Sequence, residues 1–426
     1  MRKIIVRILK KLHLYNLAVK IFCILQKVQW KVSEYRNKKK IRSTSDEAGK
    51  LIKAIEEDIG RKIVYIFQQT YYTTDGKTYI SGGGERYAGD LAKLIFEGGY
   101  QPILVQFGEP KSDRIWQVKR GELIVLGLNV EWRLYKETIP LLPKPSFSIY
   151  SGFTDFGKKF FSPNIMISHG VTWDAPGRDV SVEYIKNILL NVDGLVSVDT
   201  NTISWLRSTF SKTLAEKPVH MHYVPNYADV VKYKPDMTLK DDDHIRVIFP
   251  RRCSPERGFW LITEVLPQIL NKYEKVIFDY VGFIHTDDIG RAIEELKVRY
   301  PSRVRHYFVD ADEMYKTYQM ADICLIPTLY CEGTSLSCIE AMACGNVVIA
   351  TNVGGLPNLI IDKYNGRLIN PEAKELLKTL DEVIGDKIAM HTMSENAVAV
   401  AQTFSKNNWE ERWKKILSES MKGNNR

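Results

Sequence analysis

Apolar positions along this chain alternate between short, mainly apolar runs and longer stretches with helical spacing. The mainly apolar runs lie at Ile63–Phe67, 102–107, 165–168, 195–198, 219–224, Ile245–Phe249, Val276–Val281, 304–308, 323–327 and 347–350, some with a polar or charged residue inside, such as Arg246 and Asp279. Short continuous apolar runs suit strands buried on both faces of a parallel sheet. Between them, 85–96, Val182–Asn191, 202–208, a stretch ending at Leu270, 312–320 and 336–344 repeat apolar residues every three or four positions, as amphipathic helices do. Strand and helix in strict alternation predict an α/β protein. The alternation occurs twice, and the charged, proline-containing stretch 232–244 divides the two halves. The expected organisation is an N-terminal segment and linker at 1–60, a Rossmann-like domain at 61–235, a second at 236–403, and a C-terminal helix at 404–426. Residues 108–161, proline-rich with short apolar runs, yield no motif.

The first forty residues follow another pattern. Arg2, Lys3, Arg7, Lys10 and Lys11 interleave with Ile4, Ile5, Ile8, Leu9 and Leu12, and Trp30 follows. No run of about eighteen uncharged apolar residues exists, so the segment is not expected to span a bilayer. It also lacks the apolar centre and small-residue cleavage site of a secretory signal. Two readings stand: a basic amphipathic helix lying on an anionic membrane surface, or one packed on its own domain. Residues 43–61, polar and charged, read as a linker with a short helix.

Charge sharpens this division. The net charge is +9, but residues 1–42 hold 13 Lys or Arg against Glu34, which leaves the remainder at −3. Basicity confined to one segment speaks against a whole-surface nucleic-acid binder and for a protein docked on the inner face of the cytoplasmic membrane. The six cysteines show no C-x-x-C spacing, which fits a reducing compartment and neither a zinc site nor a disulfide framework.

The chemistry concentrates at 321–369. There a strand leads through a Gly-containing turn bearing Glu332 into a helix that carries Glu340. Thr334 and Ser335 are its possible N-caps, and Gly345 is its stop. The amides of Gly333, Thr334, Ser335 and Leu336 at such a helix start suit a diphosphate. A carboxylate on either side can accept hydrogen bonds from sugar hydroxyls. Together they suggest a nucleotide-sugar, with ribose at one Glu and the transferred sugar at the other. A bare Glu pair is more often surface polarity; strand, glycines and helix in order favour a site.

This stretch resembles the E-x(7)-E signature of the family-4 retaining glycosyltransferases of the GT-B fold, also called group 1 glycosyltransferases. The resemblance covers roughly residues 62–415. It implies two Rossmann-like domains facing a cleft, with the final helix crossing back to the first. It also implies transfer of a sugar from a nucleotide-sugar to an acceptor hydroxyl. Glu332 would contact the donor sugar and Glu340 the ribose. Gly82 and Gly83 resemble the G-G-x-E loop that lets backbone approach the donor phosphates. His169, after the strand 165–168, falls at the family's histidine facing the donor sugar, although a lone His in such a place is often structural. Arg252 and Arg257 fall at the two cations of the G-R-L-x-x-x-K-G stretch that grips the diphosphate. The departures are Val347 for a proline, Asn358 for a glutamate, Tyr227 for a glycine in the P-N-G-x-D hinge, and Arg251 for the first glycine of the cationic stretch.

The implied partners are a nucleotide-sugar donor and a saccharide acceptor, expected to be a lipid-linked or growing polysaccharide; the charge of residues 1–42 adds an anionic membrane surface as a further expected partner. The implied chemistry needs no cofactor and no divalent metal. A GT-B fold epimerase and a non-catalytic nucleotide-sugar-binding subunit are the alternatives that share the same pocket.

Overall fold

The computed structural model describes residues 15–111, 114–153, 159–171, 181–241 and 243–422, with backbone only at 15–30 and 422. It opens with one helix, α1 (Tyr15–Ile59), 45 residues long. The linker expected at 43–61 is therefore absent up to Ile59. Its cause is a buried stripe at helical spacing, Ile41, Thr44, Ala48, Ile52 and Ile55, made inconspicuous by its small and polar members. Ala48, Ile52 and Ile55 enter the same core as Tyr65 and Tyr135, and Thr44 donates to Asn129 Oδ1 at 2.7 Å. Residues 31–39 are almost all exposed. The helix thus packs on its own domain from Ile41 onward. The interleaved basic residues 1–14 lie outside the described residues.

The first domain is built from β1 (Ile63–Phe67), α2 (Gly83–Glu97), β2 (Gln101–Phe107), β3 (Trp116–Arg120), β4 (Leu123–Leu128), α3 (Trp132–Thr138), β5 (Phe147–Ser151), β6 (Asn164–Ser168), α4 (Val182–Asn191), β7 (Gly194–Ser197), α5 (Thr200–Thr209), α6 (Ser211–Glu216) and β8 (His220–Tyr223). Its sheet runs β3-β4-β2-β1-β5-β6-β7-β8. All neighbours are parallel except the β3–β4 pair. β1, β2, β4, β5 and β6 are almost wholly buried, as runs covered by helices on both faces should be.

The second domain contains β9 (Ile245–Phe249), α7 (Phe259–Lys272), β10 (Val276–Val281), α8 (Asp287–Arg299), β11 (Val304–Tyr307), α9 (Met314–Met320), β12 (Ile323–Ile326), α10 (Leu336–Ala343), β13 (Val347–Thr351), β14 (Gly366–Ile369), α11 (Ala373–Gly385) and α12 (Lys387–Ala401). Six parallel strands are ordered β11-β10-β9-β12-β13-β14. The order reverses beside β9 and β12, and in open α/β sheets ligands bind beyond the carboxyl ends of strands at such a switch point.

The chain crosses between domains twice, and the crossings are tied together. The amide of Ala228 donates to Phe404 O at 3.0 Å, and that of Lys406 to Ala228 O at 2.9 Å. The last helix, α13 (Lys406–Lys422), then lies on the first domain. Trp409, Trp413, Ile416 and Leu417 share a core with Val64, Tyr87 and Leu91. Tyr227 has a use here that a glycine would lack. It is buried, its ring lies 4.4 Å from that of Trp409, and its hydroxyl donates to Asp90.

Candidate active site

Glu332 is the centre of the site. The β12–α10 loop places its carboxylate among three donors, all on one oxygen. Arg251 Nη2 and Arg257 Nη1 each lie 2.6 Å from Oε2, and the Thr328 hydroxyl donates to it at 3.0 Å. Among the described residues Oε1 has no hydrogen bond. Desolvation alone would raise the carboxyl's pKa, but the two guanidinium charges outweigh it and hold the group below the usual range. It is ionised at neutral pH and oriented by charged forks.

Two glycines let the loop fold against its neighbours. A Cβ on Gly333 would sit 2.6 Å from Val198 Cγ2 and 2.8 Å from His169 O. Gly354, at φ +57°, lies so close that a Cβ would fall 2.1 Å from Glu332 O. The 352–356 turn is thereby seated under Glu332, and the amide of Gly355 donates to Glu332 O at 2.8 Å. Backbone this close, at a positive φ, excludes side chains.

Helix α10 begins at Leu336 with Ser335 at the N-cap position, though no side-chain bond caps it. The amides of Gly333, Thr334, Ser335 and Leu336 donate no hydrogen bond among the described residues. Four free donors at a helix start have the geometry to receive an anion. Thr334 contributes only its amide, because its side chain is already used. Its hydroxyl donates to Val198 O at 2.7 Å and accepts from the amide of Asn226 at 2.8 Å. Across from the helix start, a Cβ on Gly83 would meet Leu336 Cδ1 at 2.9 Å. Gly82 N-caps α2. The Gly82-Gly83 loop thus closes over the α10 amides from the other domain.

Glu340 is also met across the cleft. Arg86, in the first turn of α2, places Nη2 2.8 Å from Glu340 Oε1. The carboxylate is largely buried, and a ribose using it would share or replace this arginine. His169 follows β6, with its main-chain carbonyl against Gly333. Its ring meets the Tyr87 ring edge-on, centroids 5.2 Å apart, and Nε2 lies 3.3 Å from Ser151 Oγ. Desolvation lowers its pKa to about 4, so the imidazole is neutral at physiological pH and serves as a hydrogen-bonding group rather than a cation.

Of the two cations named from the sequence, the structure brings one to Glu332. Arg257 does so and remains partly exposed. Arg252 is half-exposed and pairs with Glu256 at 3.5 Å. The neighbouring Arg251, which stands where a glycine was the pattern, turns inward instead. Arg257→Ala is expected to weaken nucleoside diphosphate binding by roughly 1.5–3 kcal/mol, the worth of a hydrogen bond to a charged group. Arg252→Ala should cost less than about 1 kcal/mol, as for an exposed ion pair. Calorimetric titration of both variants checks the order.

Sequence reasoning missed Arg251, Thr328 and Arg86. Arg86 sits directly after Glu85 in the glycine-rich loop motif, so a signal was present. The departure at Asn358 also acquires a role, since its Oδ1 accepts from the amide of Thr200 at 3.0 Å and its Nδ2 donates to Thr200 Oγ1 at 2.7 Å. It docks the second domain onto the start of α5. Among the described residues no three His, Cys, Asp or Glu side chains converge to hold a metal ion.

The cleft has counterparts in known proteins. Residues 233–400 match the family model of the group 1 glycosyl transferases. The second half is a glycosyl transferase domain of that group. It carries Glu332, Glu340, Arg251 and Arg257. The chain is 27% identical over 217 residues to the phosphatidylinositol N-acetylglucosaminyltransferase gpi3 subunit of Schizosaccharomyces pombe, covering 49% of this chain and 45% of that one. It spans about half the length of the curated relatives it matches. Among solved structures, sucrose-phosphate synthase from Thermosynechococcus elongatus superposes with a TM-score of 0.69 at 18% identity, over 85% of this chain and 100% of that one. Anabaena HepE in complex with UDP-glucose gives 0.64 at 16%, over 84% and 100%. These likenesses establish the GT-B fold for both domains of this chain.

Proposed function

We propose that this protein is a retaining glycosyltransferase that moves a sugar from a nucleotide-sugar to an acceptor hydroxyl. The observation that carries this is the convergence, in one interdomain cleft, of an ionised and oriented Glu332, the free amides of α10 and the partly exposed Arg257. The amides and Arg257, with Arg252 nearby in sequence, hold the diphosphate. Glu340 accepts from the ribose, Glu332 Oε1 accepts from a hydroxyl of the transferred sugar, and the neutral His169 faces that sugar. In the reaction the bond from the anomeric carbon to the phosphate oxygen breaks and a bond to the acceptor oxygen forms on the same face. The acceptor proton passes to the departing phosphate. The cations stabilise the charge growing on that phosphate, a preorganised electrostatic effect that needs no metal.

The test is thermal stability in the presence of a panel of nucleotide-sugars and their diphosphates. A ligand at one hundred times its dissociation constant stabilises by about 2.7 kcal/mol. Wild type should respond to at least one, and Glu340→Ala should lose most of that response. No response to any member would overturn the reading. Turnover of the donor without acceptor would indicate an epimerase, and binding without turnover a non-catalytic subunit.

The acceptor we propose is a lipid-linked or growing polysaccharide at the inner face of the cytoplasmic membrane. The +12 charge of residues 1–42 supports this, as does the lipid for which the yeast relative is named. No helix among the described residues is long and apolar enough to cross a membrane. Each Lys or Arg near an anionic leaflet contributes about 1 kcal/mol. Deleting residues 1–40, ahead of the buried stripe, should abolish sedimentation with phosphatidylserine-containing vesicles at low salt and leave nucleotide binding intact. Equal sedimentation of both forms would remove the anchor.

A further inference from the structure

Arg251 stands where the cationic stretch was expected to carry a glycine, and the structure gives this departure a specific geometry. The side chain is buried, and both ends of its fork are used. Nη1 donates to Thr328 Oγ1 at 2.7 Å and Nη2 to Glu332 Oε2 at 2.6 Å. The Thr328 hydroxyl, having accepted from Arg251, donates to the same Oε2 at 3.0 Å. Arg251, Thr328 and Glu332 therefore form a closed ring of hydrogen bonds, and Arg257 joins it from the partly exposed side. A buried guanidinium is tolerated only when paired, so this arrangement is over-determined in both directions. The carboxylate holds the arginine, and the planar fork fixes the carboxylate. Arg257 alone would leave the carboxylate free to turn about its last torsion, which is broad and roughly two-fold. The ring with Arg251 removes that freedom and selects the orientation in which Oε2 is saturated and Oε1 is not.

We propose that Arg251 is a positioning residue of the transfer reaction: it locks Glu332 so that Oε1 is presented to the transferred sugar. The inference rests on the function proposed above. Because Arg251 carries the inner side of the carboxylate, Arg257 needs only one nitrogen for Glu332 and keeps the rest of its fork for the diphosphate. Arg251 itself touches neither ligand. Its effect should therefore fall on turnover and not on nucleotide affinity.

The test is a double-substitution cycle between positions 251 and 332, read in kcat, in donor KM and in nucleoside diphosphate dissociation constant. Arg251→Gln should lower kcat roughly 10- to 100-fold, the scale of a misplaced catalytic group. The diphosphate constant and the donor KM should change by no more than about twofold, since the fork that meets the ligand is left in place. Arg251→Lys, which keeps charge and length without the planar fork, should recover part of kcat. In a Glu332→Gln background, Arg251→Gln should cause little further loss, because the carboxylate it orients is gone. A full multiplicative loss in that background overturns the proposal, as does a loss seen mainly in diphosphate affinity. Wild-type turnover without coupling sinks the positioning role alone. Failure of wild type to turn over any nucleotide-sugar sinks the proposed function and the role with it.

Discussion

Glu332→Gln is expected to lower turnover by about 10²–10³-fold, the usual cost of removing one preorganised polar group at a reacting centre. The substitution keeps shape and removes charge. Arg251 and Arg257 are then left facing an amide, and Arg251 is buried. Breaking a buried pair on one side typically costs about 3–5 kcal/mol, because the remaining charge is uncompensated. A fall in thermal stability should therefore accompany the loss of turnover. Nucleoside diphosphate affinity should not fall with it. Neutralising the carboxylate removes the anion that competes with phosphate for Arg257. Calorimetric titration and steady-state kinetics, both run well below the lowered unfolding temperature, separate the effects. If diphosphate affinity drops as far as turnover does, Glu332 belongs to phosphate binding and its assignment to the transferred sugar is wrong.

Glu332 is legible in the sequence because its setting is local. A strand, a glycine turn and a helix start occupy consecutive residues, and hydrophobic periodicity alone places them. The same holds for most strands of both sheets, which are short, mainly apolar runs. What is not legible depends on geometry that spacing does not encode. Arg251 and Arg252 are adjacent and chemically identical, and only the direction in which the loop leaves β9 decides which one turns inward. Arg86 meets Glu340 from another domain, 254 positions away in the chain, and no local pattern announces that meeting. Thr334 has the look of a side-chain cap, yet its hydroxyl is spent on Val198 and Asn226. The region 108–161 hides its strands for two reasons. β3 is an edge strand with mostly exposed polar positions, and Pro140, Pro143 and Pro145 break the pattern that follows β4. Helix α1 is longer than its pattern suggests because its buried face uses Thr44 and Ala48, which carry little hydrophobic signal.

Trp413→Ala is expected to destabilise the first domain by about 3–5 kcal/mol, the cost of deleting a buried large aromatic ring. Trp413 is fully buried in the core that α13 completes on the first domain. Its Nε1 donates to the Tyr87 hydroxyl at 2.8 Å, so the alanine variant loses that bond and leaves a cavity. Trp413→Phe keeps most of the ring and should cost about 1 kcal/mol more than its packing loss, for the missing hydrogen bond. The two domains have separate cores, and a two-domain chain need not unfold in one step. Scanning calorimetry should show the first-domain transition moving down while the second stays in place. Function should follow the same division. Tyr87 touches Trp413 on one side and His169 on the other, so loosening it shifts the imidazole proposed to face the transferred sugar. Turnover should fall, whereas diphosphate affinity, which the proposed function assigns to α10 and Arg257 in the second domain, should hold. An equal fall of both transitions, or a loss of diphosphate binding in step with turnover, would show that α13 supports the donor domain as well and that the cores are not independent.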